Sequence, residues 1–327
     1  MNKPFRIGIV GCGGIAEHHV NRYKEAGGNE IVAVFDIFKA SAEKLAAKTG
    51  ARVAASIEEM IEKDQLDGVT ICSPAGVHLE NCKPFLEAGI AVLCEKPLEV
   101  DVAQAEKLAA LVKKTGTVFM TAFCHRFHPA VLELRSLIDK GVLGEPVLFR
   151  NIFANYISME GNHRLNAKLS GGGSLIDNGA HSLDLYRFLM GDPTEGTAMT
   201  GNVVQMLPVE DFSMILLSKD GKAFGEINAG YSLIGCGAFV EWYGTKGTAI
   251  ISYGNPGCPD LKYKTDGDWI EVNCDALPDR FVAEQRHFME CARAKKTPSI
   301  TAEDGLKANQ IVKGLYEAAA QKKWVKF

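Results

Sequence analysis

Gly11-Cys12-Gly13-Gly14-Ile15-Ala16 is the stretch that decides how this chain is read. It follows an apolar run over 6–10 and opens an amphipathic segment near 14–27, so the pattern G-x-G-x-x-A stands at a strand-to-helix turn. In that context a common glycine pattern becomes a dinucleotide fingerprint. Gly11 makes a turn that a side chain would block, Gly13 lets the backbone approach a pyrophosphate at a helix N-terminus, and Ala16 is small enough for helix to pack on strand. Gly11, Gly13, Gly14, Ile15 and Ala16 are therefore the expected cofactor loop.

The surroundings extend that reading. Apolar runs at 31–35, 68–72, 91–94 and 118–122 alternate with helix-like segments near 38–49, 76–88 and 101–115. This is the pattern of stacked βαβ units, whose strands are covered on both faces and so read as continuous apolar runs. Asp36 ends the second run, 20 residues after Ala16. A carboxylate there accepts hydrogen bonds from the adenosine 2′-hydroxyl and repels a 2′-phosphate, which favours NAD over NADP. Lys39 offsets part of that repulsion. Asp36 can also serve as the N-cap of the 38–49 segment, and the two roles are compatible.

Beyond a helix-like segment at 129–140 the character changes. Runs at 147–153, 213–217, 223–229, 239–243 and 248–252 are rich in β-formers, with turn signals at Lys219-Asp220-Gly221, Gly244-Thr245-Lys246-Gly247 and Asp266-Gly267. They read as an antiparallel sheet. Two helices near 280–294 and 303–321 follow, the second opened by Thr301-Ala302-Glu303-Asp304. The expected fold class is α/β, with an N-terminal doubly wound Rossmann domain over 1–123. A C-terminal α+β domain over 124–327, with a largely antiparallel open sheet, would take substrate and form oligomers.

Bulk properties narrow the function. At 327 residues, 46% hydrophobic and 23% charged, the chain is an ordinary globular protein long enough for two domains. A net charge of -4 without a basic block leaves no footprint for nucleic acid, and no apolar stretch spans a membrane. Nine cysteines without a C-x-x-C pair indicate neither a disulfide framework nor a thiolate zinc site, and the N-terminus carries no signal-peptide pattern. A cytoplasmic protein acting on a small molecule is expected.

Two constellations carry chemistry. Glu95-Lys96-Pro97 follows the 91–94 strand at the sheet edge where ligands bind, and a lysine there can stabilise a developing alkoxide. Alone, the tripeptide reads equally well as a surface turn. Gly171-Gly172-Gly173 leads to Asp177 and His181, i and i+4 on one helical face, with Asp184 a turn further. His181 can exchange a hydroxyl proton near neutral pH, and Asp177 can orient it or touch substrate. The structural alternative is a capping aspartate and a core histidine. His163 and Arg164 stand in a loop, as substrate contacts or as solvated residues; Asn155, Tyr156 and Asn178 are further hydroxyl partners. His78, His163, His181 and Asp177 lack a metal-ligand spacing, so no metal is expected.

These motifs occur in one order: the glycine loop, Asp36, Cys72-Ser73-Pro74-x-x-x-His78, Glu95-Lys96-Pro97, Arg126-Phe127-x-Pro129, Gly-Gly-Gly…Asp177…His181 and Tyr243-Gly244-Thr245-Lys246-Gly247. Together the chain resembles the glucose-fructose oxidoreductase / inositol dehydrogenase / rhizopine-catabolism family, Gfo/Idh/MocA, over nearly its whole length. The resemblance implies a catalytic trio of Lys96, Asp177 and His181, with His181 as acid/base and Lys96 assisting. It implies that Ser73, Pro74 and His78 lie beside the dinucleotide, Glu95 near the nicotinamide ribose and Arg126 near the nicotinamide end. His125 departs from the arginine common before that position. The implied activity is hydride transfer between a secondary alcohol of a sugar, inositol or polyol and NAD, in a homodimer or homotetramer built through the C-terminal sheet. A non-redox lyase or glycosidase with tightly held NAD, and a sugar sensor without catalysis, are the competing functions. The loops at 151–170 and 230–240 carry no pattern that names the sugar.

Overall fold

A computed structural model describes residues 3–234, 239–252, 259–274 and 276–327, the side chains of His163 and Phe239 excepted. The first compact unit comprises Met1–Cys124 and Arg280–Lys307, the second His125–Asp279 and Ala308–Phe327.

In the first unit, β1 (Phe5–Val10), α1 (Gly14–Ala26), β2 (Asn29–Phe35), α2 (Lys39–Thr49), β3 (Arg52–Val53), α3 (Ile57–Lys63), β4 (Gly68–Ile71), α4 (His78–Glu87), β5 (Ala91–Cys94), α5 (Val102–Thr115) and β6 (Phe119–Thr121) alternate along the chain. The strands form a parallel sheet in the order β3-β2-β1-β4-β5-β6. Helices cover it, so β4 and β5 are buried at every position, as the continuous apolar runs predict. Strand order reverses between β1 and β4, and the crevice beyond the carboxyl ends of those strands is where such sheets take ligands. β3 and α3 are additions to the sequence reading. Ser56 caps α3 by accepting the Glu59 N–H at 3.1 Å.

The second unit contains α6 (Pro129–Asp139), β7 (Pro146–Ala154), α7 (Ala167–Ser170), α8 (Asn178–Met190), β8 (Glu195–Gly201), β9 (Phe212–Lys219), β10 (Ala223–Gly230), β11 (Phe239–Gly244), β12 (Thr248–Ser252), β13 (Leu261–Lys264) and β14 (Ile270–Val272). Two helices, α9 (Arg280–Ala294) and α10 (Ala302–Gln321), and the short β15 (Val325–Lys326) close the chain. The nine-stranded sheet runs β14-β13-β12-β11-β7-β10-β9-β8-β15, antiparallel throughout except for the parallel pair β7/β10. The hairpin β9–β10 turns at Asp220 and Gly221, both with positive φ as a tight primed turn requires.

One face of this sheet packs on α8 around Phe149, Ile215, Ile227 and Trp242, all fully buried. The opposite face of β8–β10 is open, with Met199, Met214, Leu216 and Phe224 exposed. Among the described residues no helix is long and apolar enough to cross a membrane.

α9 belongs to the first unit although it follows β7–β14 of the second sheet in sequence. In the same unit, Thr301 and Asp304 cap the start of α10 reciprocally. The Thr301 N–H donates to Asp304 Oδ2 at 2.9 Å, and the Asp304 N–H to Thr301 Oγ1 at 3.3 Å.

Candidate active site

In the first unit, candidate residues stand at the ends of β1, β2, β4 and β5. Gly11 has φ +84°, and a Cβ there would stand 2.5 Å from the Ser73 nitrogen, so the loops after β1 and β4 touch only because this residue is glycine. At Gly13 and Gly14 a Cβ would meet no protein atom within 4 Å. That leaves an open cradle at the N-terminus of α1, whose unsatisfied N–H groups suit a pyrophosphate. Ala16 is fully buried against the sheet, as its size requires.

Asp36 faces this cradle. Its Oδ2 accepts the Cys12 N–H at 2.7 Å and its Oδ1 the Phe38 N–H at 2.8 Å. The carboxylate therefore ties the glycine loop to the end of β2; the N-cap position of α2 falls to Phe38, without a side-chain bond. Lys39 lies out on the surface and pairs with Glu43 at 3.4 Å. The open cradle and the adjacent carboxylate fit an NAD-type dinucleotide.

Ser73, Pro74 and His78 are brought together after β4, in a role the sequence did not disclose for the histidine. The buried His78 ring has Nε2 2.9 Å from the Ser73 carbonyl oxygen and Nδ1 3.1 Å and 3.2 Å from those of Pro97 and Leu98. It braces the Lys96-Pro97 segment, whose peptide bond is cis, against the β4 loop. Burial lowers its affinity for a second proton below the histidine norm, outweighing the pull of those carbonyls. Glu95 is buried, its Oε1 2.8 Å from His19 Nε2 and its Oε2 accepting the Lys96 N–H at 3.1 Å.

In the second unit, Asp177 and His181 stand at the start of α8. Two of the three glycines that precede it are there for steric reasons: side chains at Gly172 and Gly173 would collide with Tyr316 and the Glu210 backbone. Asp177 is the N-cap residue, yet its side chain makes no capping bond. Instead its Oδ2 accepts the Tyr231 hydroxyl at 2.9 Å and lies 3.1 Å from Arg164 Nε. Burial first, then the Asp177 charge, pushes the Tyr231 phenol far above its ordinary range, so it remains a donor. His181, one turn on and buried, packs its ring against His125 at 4.6 Å between centroids and Phe153 at 5.7 Å.

Other predicted contacts are engaged by the fold itself. Asn178 uses its amide nitrogen to bridge the carbonyls of Phe153 and Gly230, joining the ends of β7 and β10. Arg126 forms a buried two-pronged pair with Asp184, at 2.8 Å and 2.5 Å, beneath the Phe188 ring. Tyr156 is exposed just beyond β7, next to Asn155. His163 opens a single turn of 3-10 helix, and its side chain lies outside the described residues.

Sequence reasoning missed Tyr231, Asp211 and Gln205. The buried Asp211 accepts the N–H groups of Val203, Val204 and Gln205 and the Ser232 hydroxyl at 2.7–2.9 Å. Gln205 Nε2 reaches the carbonyls of Ile157 and Tyr231, both at 3.0 Å. These bonds lace three loops at the sheet end that holds Asp177. Their partners are mostly backbone, which leaves no trace in sequence.

Fold and loop geometry define a dinucleotide-binding oxidoreductase. Residues 5–123 match the family model described as oxidoreductase family, NAD-binding Rossmann fold, and residues 131–250 match its C-terminal domain. The chain belongs to the Gfo/Idh/MocA family and has its NAD-binding Rossmann domain. It is 27% identical to a D-apiose dehydrogenase of Paraburkholderia graminis, covering 98% of this chain and 88% of that one. To a scyllo-inositol 2-dehydrogenase (NAD+) of Bacillus subtilis it is 25% identical, over 92% and 90%. The solved aldose-aldose oxidoreductase of Caulobacter crescentus, in complex with glycerol, superposes with TM-score 0.90 at 25% identity, covering 99% of this chain and all of that one.

Proposed function

We propose that this chain is an NAD-dependent dehydrogenase oxidising a secondary alcohol of a sugar, inositol or related polyol in the cytoplasm. The observation that carries the reading is the start of α8. There a carboxylate fixed by Tyr231 and Arg164 precedes, by one turn, an imidazole packed among rings. NAD, when bound, supplies the hydride acceptor. Lys96 donates to the substrate oxygen and stabilises it as its charge develops, His181 takes the hydroxyl proton, and Asp177 holds the local charge balance. Arg164, His163 and Asn178 border the substrate, while Ser73, Pro74, His78, Glu95 and Arg126 shape or brace the cofactor's surroundings. The names of the relatives support the substrate class, and nine cysteines without a disulfide framework suit a reducing compartment.

The test is reduction of NAD, and of NADP in parallel, across a panel of inositols, aldoses and sugar acids. Turnover with a polyol or sugar supports the reading; NAD binding with silence across the panel overturns it in favour of a non-redox enzyme or a sensor.

Asp36 sets a further expectation. In Asp36→Ser the charge that bonds a ribose hydroxyl is gone. A hydrogen bond to a charged group contributes about 1.5–3 kcal/mol, so kcat/KM with NAD falls by about tenfold to a hundredfold. The NAD:NADP ratio narrows with it. An unchanged ratio would show that Asp36 serves only the loop.

Assembly is proposed through the open face of the second sheet. Met199 and Met214 are cross-strand partners there, and Leu216 and Phe224 continue the apolar surface. Carboxylates at two of these positions, Leu216→Glu with Phe224→Glu, are expected to convert a dimer or tetramer to monomer in light scattering. A wild-type monomer, or an assembly indifferent to the change, would remove this face from consideration.

A further inference from the structure

A buried chain of hydrogen bonds runs from α9 to the Lys96 backbone, all within the first unit. Gln285 is fully buried on α9, and its Nε2 lies 3.0 Å from both the carbonyl oxygen and Nδ1 of His19. A carbonyl oxygen only accepts, so the nitrogen end of the amide faces His19 and presents one N–H to the carbonyl and one to the ring. Nδ1 must then carry a lone pair, and the ring proton sits on Nε2. From there it is donated to Glu95 Oε1 at 2.8 Å. A second proton on Nδ1 would set N–H against N–H in a site closed to water, since His19 is itself fully buried. The other Glu95 oxygen takes the Lys96 N–H.

We propose that Gln285 and His19 are positioning residues: Gln285 locks His19 in its neutral Nε2–H tautomer, and His19 thereby holds the Glu95 carboxylate that fixes the Lys96 backbone. The function of this chain rests on the dehydrogenase reading above; its geometry does not. Sequence gives no hint of the link, because Gln285 lies in an ordinary amphipathic helix.

The first measurement is the 15N spectrum of histidine-labelled wild-type protein, with His19→Gln for assignment. His19 is expected to show the Nε2–H tautomer at neutral pH. A doubly protonated ring or an Nδ1–H tautomer there overturns the proposal. In kinetics, Gln285→Met frees Nδ1. It is expected to lower kcat about threefold to tenfold, the upper range for one hydrogen bond between neutral groups, with KM for the polyol moving less than about twofold. His19→Gln, which keeps a donor for Glu95, is expected to retain most of the activity that His19→Phe loses. A Gln285→Met protein that melts earlier but turns over normally would make the chain merely structural and overturn the proposal. If the wild type turns over no substrate, the dehydrogenase reading has failed separately. Calorimetric NAD affinity then decides: a fall of about tenfold in Gln285→Met supports the proposal, and unchanged affinity overturns it.

Discussion

Lys96→Met is expected to lower kcat/KM for polyol oxidation by about a hundredfold to a thousandfold, the cost of removing one preorganised donor from a developing oxyanion. NAD affinity should hold within about threefold, because methionine retains the apolar stem and deletes only the ammonium. The backbone that carries this residue is held independently of its side chain, through the Glu95 carboxylate and the His78 brace on Pro97. The substitution therefore subtracts chemistry without moving the loop. Lys96→Arg is not expected to restore the rate, since a planar fork does not place its charge where a compact ammonium does. Steady-state kinetics with calorimetric NAD binding checks both halves. Activity within about tenfold of wild type would remove the lysine from the reaction.

His181→Gln is expected to lower kcat by about a hundredfold to ten-thousandfold, the usual contribution of a positioned acid/base group. The pH profile is the sharper readout. Wild-type kcat should fall on the acid side as the imidazole becomes protonated and can no longer take the hydroxyl proton, while the variant loses that limb. A retained limb would assign it elsewhere, and His125 would be tested next, because the two rings lie 4.6 Å apart. Asp177→Asn should show a smaller loss, since Tyr231 can still donate to the remaining carbonyl oxygen.

The fold was legible wherever the sequence signal is local. Five strands and four helices of the first unit announced themselves as apolar runs alternating with amphipathic segments, and the glycine loop by its place after β1. β3, two residues long, had no periodicity to detect, although Ser56-Ile57-Glu58-Glu59 carried a capping signal for α3 that went unread. In the second sheet the central strands were clear, whereas β8 contains two glycines and β13 and β14 are short strands carrying charged residues at one end of the sheet. Candidate residues divided in the same way. Asp36, Asp177 and His181 stood out by motif. Tyr231, Gln205 and Gln285 did not, because what defines each is a partner distant in sequence. His78, Asn178 and Arg126 were singled out for ligand contact, and the fold gives each of them bonds to the protein.

The membership of α9 in the first unit bears on how the protein is made. Synthesis proceeds at roughly 5–20 residues per second, so the helix that completes the nucleotide-binding half leaves the ribosome on the order of ten seconds or more after Cys124. Until then the nascent sheet lacks the cover of α9, and the buried His19 its Gln285 partner. A fragment ending at the first-unit boundary would carry that deficit permanently. A circular permutant that starts at α9 would instead deliver both pieces of this half early, with only Ala308–Phe327 of the second unit between them.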